Sequence, residues 1–168
     1  FVALLWRSVM HSRSVINLRL AAEEGERARG RMRNPPTTDW ELKEGNKYIC
    51  FLSHYKVEAG SDARYLRDLI QAMCGKPCFL DSTDLTDLRL LYSEGVARCD
   101  AVVALATRDY LTRPYCLLEL WEAKRRGVPI FVFPITGRGY TKAHALSTLA
   151  SLEANLEESN PDGLKLIQ

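Results

Sequence analysis

Three short runs limit what this chain can fold into: KYICFLS (47–53), DAVVALA (100–106) and VPIFVFPI (128–135). Each is apolar with little alternation, and each is too brief for a helix buried on all sides. Runs of this kind read as strands covered on both faces, which is the pattern of a parallel sheet. PCFLD (77–81) reads as a further short strand and DGLKLI (162–167) as one more.

The segments between the runs have helical spacing. DARYLRDLIQAMCG (62–75) puts Ala63, Leu66, Leu69, Ile70 and Met73 on one face and stops at Gly75. LLYSEGVARC (90–99), residues 107–126 with a break at Pro114, and KAHALSTLASLEANLEES (142–159) are the other helical segments. Strand–helix–strand alternation predicts an α/β fold of three layers, flavodoxin-like, with a central parallel sheet of about five strands and helices on both faces. Ligands of such sheets bind at the carboxyl ends of the strands, here Ser53–Lys56, Asp81–Leu85, Ala106–Asp109 and Thr136–Tyr140.

Residues 1–46 differ from the rest. Residues 1–33 hold seven Arg against three Glu, and 29–46 are rich in Arg, Pro and polar residues. They read as a basic helical leader and a linker, with the globular domain spanning 47–168. The chain opens on Phe1, which reads as a piece of a longer protein. No run reaches the roughly 20 apolar residues a membrane span needs; FVALLW with its arginines reads as an amphipathic helix of a neighbouring linker or domain, with the tail of a truncated span as the alternative.

Charge and motifs remove several function classes. The net charge is +2, concentrated before residue 34, so the domain presents no basic surface for nucleic acid. Neither GxGxxG nor GxxxxGK[ST] follows the first strand, which disfavours dinucleotide dehydrogenases and P-loop enzymes. Ser53 beside His54 is no hydrolase elbow, because neighbouring strand residues point apart and GxSxG is missing. The third strand ends in ALATRD without a tip carboxylate, which disfavours a receiver-type phosphoacceptor. The five cysteines are odd in number and Cys74 and Cys78 lack a second pair for zinc, so no metal is expected; their usage suits a reducing cytoplasm.

Four motifs in order carry a resemblance: YICFLSHYK, CFLDSTDL, GVARCDAVVALAT and RPYCLLEL. Together, over about 47–158, they resemble the TIR (Toll/interleukin receptor) family, and RPYCLLEL is similar to the W-C-L-x-E-L segment of its plant-type members, with Tyr115 in place of Trp. Some TIR domains are scaffolds that assemble with other TIR domains; others cleave NAD to nicotinamide and ADP-ribose or a cyclised product. The resemblance implies an NAD glycohydrolase that self-associates in immune or stress signalling, with NAD as substrate rather than cofactor and other TIR domains as partners; a membrane is not required, though contact with one through an upstream region is left open. A non-enzymatic TIR scaffold is the alternative, and a small-molecule-binding flavodoxin-like domain unrelated to signalling is a third class.

Periodicity and resemblance disagree over Glu119. As a helix, 115–126 carries Tyr115, Glu119, Glu122 and Arg126 in a polar stripe, which by itself reads as a wet face with an i,i+4 Glu122–Arg126 pair. The resemblance instead makes Glu119 the catalytic carboxylate and Tyr115 a wall of its pocket. It also implies NAD contacts from Ser53, His54, Tyr55 and Lys56, with Lys56 on phosphate, and from Asp81 and Leu85 at the entrance and within the gating loop.

Overall fold

The computed structural model describes residues 41–80, 94–159 and 161–167. The expectations for residues 1–40, for Asp81, Leu85 and the loop 82–88, and for the first four residues of the helical segment 90–99 lie outside the described residues. Within the described part of that segment, Val96–Arg98 forms a 3₁₀ turn.

Three strands form one parallel sheet in the order β1 (Tyr48–His54), β2 (Cys99–Ala106) and β3 (Ile130–Pro134). β1 pairs β2 from Tyr48↔Cys99 to His54↔Leu105, and β2 pairs β3 from Val102↔Ile130 to Ala106↔Pro134. The sheet therefore has three strands among the described residues, where about five were expected. PCFLD contributes a single parallel bridge, Phe51↔Phe79, on the outer edge of β1. Its backbone bonds are Ile49 N–H to Pro77 O at 2.9 Å, Phe79 N–H to Cys50 O at 2.8 Å and Leu52 N–H to Phe79 O at 3.0 Å. DGLKLI is not a strand: Pro161–Ile167 is a helix with Pro at its start and Asp162 in its first turn, both helix-initiating signals.

Alternation along the strands divides the core into two clusters, one on each face. Cys50 and Leu52 face helix α1 (Lys56–Cys74), which lays Ala59 and Ala63 against them, with Leu66 and Ile70 at the margin. α1 begins six residues before the expected start at residue 62; Ala59 (φ −133°, ψ 16°) marks a kink where two helical pieces merge. Gly75 ends the helix at φ 63°, a conformation glycine adopts without strain, and its N–H returns to Gln71 O.

Phe51, Val102 and Ala104 face the opposite side, against Cys116, Leu117, Leu120 and Ala123 of α2 (Pro114–Arg126). Pro114 sits in the first turn of that helix, where its missing N–H is harmless, and so starts α2 rather than interrupting it. The closing helix is split at Ser151 (φ −122°, ψ 37°) into α3 (Lys142–Ala150) and α4 (Leu152–Ser159); α5 (Pro161–Ile167) follows. Ala145, Leu149, Leu152 and Leu156 complete the second face. Each of these leucines, fully removed from water, contributes about 1.5–3 kcal/mol. The outcome is a three-layer α/β arrangement with all three carboxyl strand ends on one edge.

On the opposite edge, Asp100 Oδ1 accepts Lys43 N–H at 3.1 Å and Asn46 Nδ2 at 2.7 Å, fastening the segment that leads into β1.

Candidate functional site

The carboxyl end of β1 is where the chain gathers its polar groups. Ser53 and His54 are adjacent and both buried, at 1% and 7% exposure, but alternation sends them to opposite faces. Ser53 shares the α2 side with Phe51; His54 shares the α1 side with Leu52.

On the α2 side, Ser53 Oγ donates to Glu119 Oε2 at 2.5 Å and lies 2.6 Å from the Tyr110 hydroxyl. Serine has one proton, and it is committed to Glu119, so Tyr110 is the donor to Ser53. The result is a directed chain, Tyr110 O–H to Ser53 O–H to the Glu119 carboxylate, among side chains 2%, 1% and 4% exposed. Burial pushes the Tyr110 phenol well above its ordinary range, with Cys116 and the charge of Glu119 acting in the same direction and the Ser53 bond opposing. Tyr110 therefore remains a protonated donor. It is placed by a 3₁₀ turn, Tyr110–Thr112, between β2 and α2.

The polar stripe of α2 is thus not uniform. Glu119 points into the protein. Tyr115, one turn earlier, is 44% exposed and takes no part in the Ser53 chain. Glu122 keeps the expected pair with Arg126 at 2.5 Å and adds a bond from Arg125 at 2.7 Å. The Arg125 bond, helped by Arg126, holds the Glu122 carboxyl down at about 2.

On the α1 side, His54 Nδ1–H donates to Leu52 O at 3.2 Å, and the ring borders a cavity of about 220 Å³. Lys56, Glu58, Arg64 and Arg138 also line it. With Asp62 paired to Arg138, these three cations and Glu58 leave a net of +1, which favours an anionic occupant, and the first turn of α1 adds its partial positive end. Glu58 is already engaged, accepting Asp109 N–H at 3.2 Å, and Arg138 Nη2 donates to Asp62 Oδ2 at 3.2 Å. These two contacts tie the loops after β2 and β3 to the start of α1. Tyr55 lies under the Arg113 guanidinium at 4.0 Å, linking α1 to α2 through a cation–π contact. Thr107 Oγ1, just past β2, and Arg113 Nε are buried without a hydrogen-bond partner.

Of the residues singled out in the sequence, Ser53 and Glu119 come into direct contact, His54 and Lys56 line the cavity, and Tyr55 stacks under Arg113 between the starts of α1 and α2. Tyr110, Arg138 and Thr107 belong to the same edge and went unnoticed. Tyr110 sits in the TRDYLTRP stretch read as helix, and only its distance in space from Ser53 gives it a role. Among the described residues, no three His, Cys, Asp or Glu side chains converge as metal ligands. No described helix is long and apolar enough to cross a membrane.

Comparison with protein-family models, with curated proteins and with solved structures found no match.

Proposed function

We propose that this chain is a TIR-type NAD glycohydrolase domain with Glu119 as its catalytic carboxylate. One observation carries the reading. FLSH and YCLLEL, two motifs of the resemblance, supply Ser53 and Glu119, which stand 66 residues apart in sequence and meet in a 2.5 Å hydrogen bond at the carboxyl end of β1. The three-stranded parallel order, with the Phe79 segment bridged to the outer edge of β1, is compatible with a flavodoxin-like fold and supports the reading.

The chemistry suits these groups. Nicotinamide leaves NAD as a neutral molecule from a cationic pyridinium, so the step demands no strong acid. Positive charge builds on the ribose as the bond breaks, as in glycoside hydrolysis. A fixed carboxylate stabilises that charge, and Ser53 with Tyr110 behind it orients the carboxylate. Lys56, Arg64 and Arg138 hold the pyrophosphate in the α1-side cavity. The domain works in the cytoplasm, which its odd cysteine count and unpaired thiols suit, and it assembles with its own kind, so activity rises steeply with concentration.

The second reading, a TIR scaffold without activity, is favoured by one feature: Glu119 is 4% exposed and is not part of the cavity lining. Nicotinamide release from NAD by concentrated wild-type protein and by Glu119→Ala separates the two. The enzyme reading expects a loss of about 10²–10³ in the variant. A wild type inactive even when crowded on a surface refutes the enzyme reading; activity persisting in Glu119→Ala refutes the role of Glu119.

A further inference from the structure

The five cysteines divide by sheet face. Cys99 and Cys116 lie in the α2-side core, where Cys99 S–H donates to Val96 O at 3.2 Å. Cys50, Cys74 and Cys78 share the α1-side core. Cys50 and Cys78 occupy laterally adjacent positions on β1 and the edge segment, one residue before the Phe51↔Phe79 bridge, and their sulfurs are 3.5 Å apart. Neighbouring strands are about 4.8 Å apart, within the Cα separation a disulfide spans. A bond needs the sulfurs to close by roughly 1.5 Å, which side-chain rotation supplies.

We infer that Cys50 and Cys78 form a redox-active pair that closes into a disulfide, with the half-buried Cys74 as the thiol through which small disulfides gain entry. Cys50 is 4% and Cys78 3% exposed, so neither meets an oxidant directly. The Cys78 contact and burial also push the Cys50 thiol up, so Cys50 is not the first sulfur to attack and acts only once Cys78 is held in a disulfide beside it. Cys74, on the last turn of α1, is partly exposed, and Gln71 on the same turn accepts the Cys78 N–H at 3.0 Å, which holds Cys78 beside it.

The exchange balances with glutathione disulfide as oxidant. The Cys74 thiolate attacks it, forms a mixed disulfide and releases one glutathione. The Cys78 thiolate displaces the second glutathione from the Cys74 sulfur. Cys50 then attacks the Cys78 sulfur, and the electron pair and a proton return to Cys74. Two protein thiols lose two electrons and two protons, and one glutathione disulfide becomes two glutathiones. The edge segment, held to β1 by three backbone bonds, becomes covalently fastened to it.

The test equilibrates the whole chain in glutathione buffers from reducing to oxidising, alkylates the remaining thiols and digests with trypsin. Residues 48–56 carry Cys50, and residues 68–89 carry both Cys74 and Cys78 because Lys76–Pro77 resists cleavage. The expected product joins these two peptides in the wild type and in Cys74→Ser, forms roughly ten-fold more slowly in Cys74→Ser, and is missing from Cys50→Ser. Thiols still free in the most oxidising buffer, glutathione adducts alone, or a bond confined to 68–89 overturn the pairing. An unchanged rate in Cys74→Ser overturns the entry role. Fragmentation of the linked wild-type peptides, which should find the alkyl group on Cys74 and the bond on Cys78, decides the pairing whatever the folding of the variants; the alkyl group on Cys78 overturns it.

Discussion

Removing the Ser53 hydroxyl distinguishes a directed chain at the β1 end from two independent contacts. In Ser53→Ala the Tyr110 phenol, 2% exposed, keeps its proton but loses its acceptor, and the Glu119 carboxylate loses a charge-assisted donor. An orphaned buried donor costs about 1–2 kcal/mol and the lost charged bond about 1.5 kcal/mol, so the variant should be destabilised by about 3 kcal/mol. Tyr110→Phe leaves the Ser53–Glu119 bond in place and should cost about 1 kcal/mol. In the double variant no phenol is left to orphan, so the total should be about 2 kcal/mol rather than the additive 4 kcal/mol. Urea denaturation measures all three, compared at unchanged dependence on denaturant so that the shift in midpoint reports stability. Additive values within about 0.5 kcal/mol would refute the reasoning, because they require Tyr110 and Ser53 to act separately.

Other outcomes follow from the same contacts. Glu122→Gln should leave nicotinamide release unchanged while lowering stability at pH 7 by about 1 kcal/mol, a figure reduced for the exposure of both arginines. Because the folded Glu122 carboxyl sits at about 2, below its ordinary 4.5, that difference is present above about pH 4.5 and fades as pH falls towards 2; thermal melts across pH read it. Gly95→Ala should destabilise by about 1–3 kcal/mol, since its Cβ would lie 2.9 Å from Phe51 and 3.0 Å from Phe79, two stacked rings with no room to move. Lys56→Ala and Arg138→Ala should raise KM for NAD several-fold with little change in kcat, and the penalty should shrink in high salt.

The strands of the sheet were readable because burial on both faces demands uninterrupted apolar residues, and YICFLS and DAVVALA satisfy nothing else. DGLKLI misled because Leu164, Lys165 and Leu166 alternate as a strand does, while Pro161 and Asp162 in front of them mark a helix start. The start of α1 was hidden by the Gly60–Ser61 pair, which reads as a loop yet lies within the kinked first turns. Glu119 could not be told from Glu122 by spacing, since three residues of helix separate them by about 60°. What distinguishes them is which strand end lies opposite, and that is a property of the assembled layers. The resemblance drew attention to Glu119 and Ser53, but Tyr110 had to be found in three dimensions.

A carboxylate as enclosed as Glu119 can also serve as a clock. A water-soluble carbodiimide couples to exposed carboxylates within minutes, whereas Glu119, 4% exposed behind Ser53, can react only during excursions that part the β1 end from α2. Its labelling rate therefore counts those excursions, with Glu153 and Glu157 on the exposed surface of α4 as an internal reference in the same sample. A ligand that enters by holding the edge open will speed the reaction, and one that binds with the edge shut will slow it.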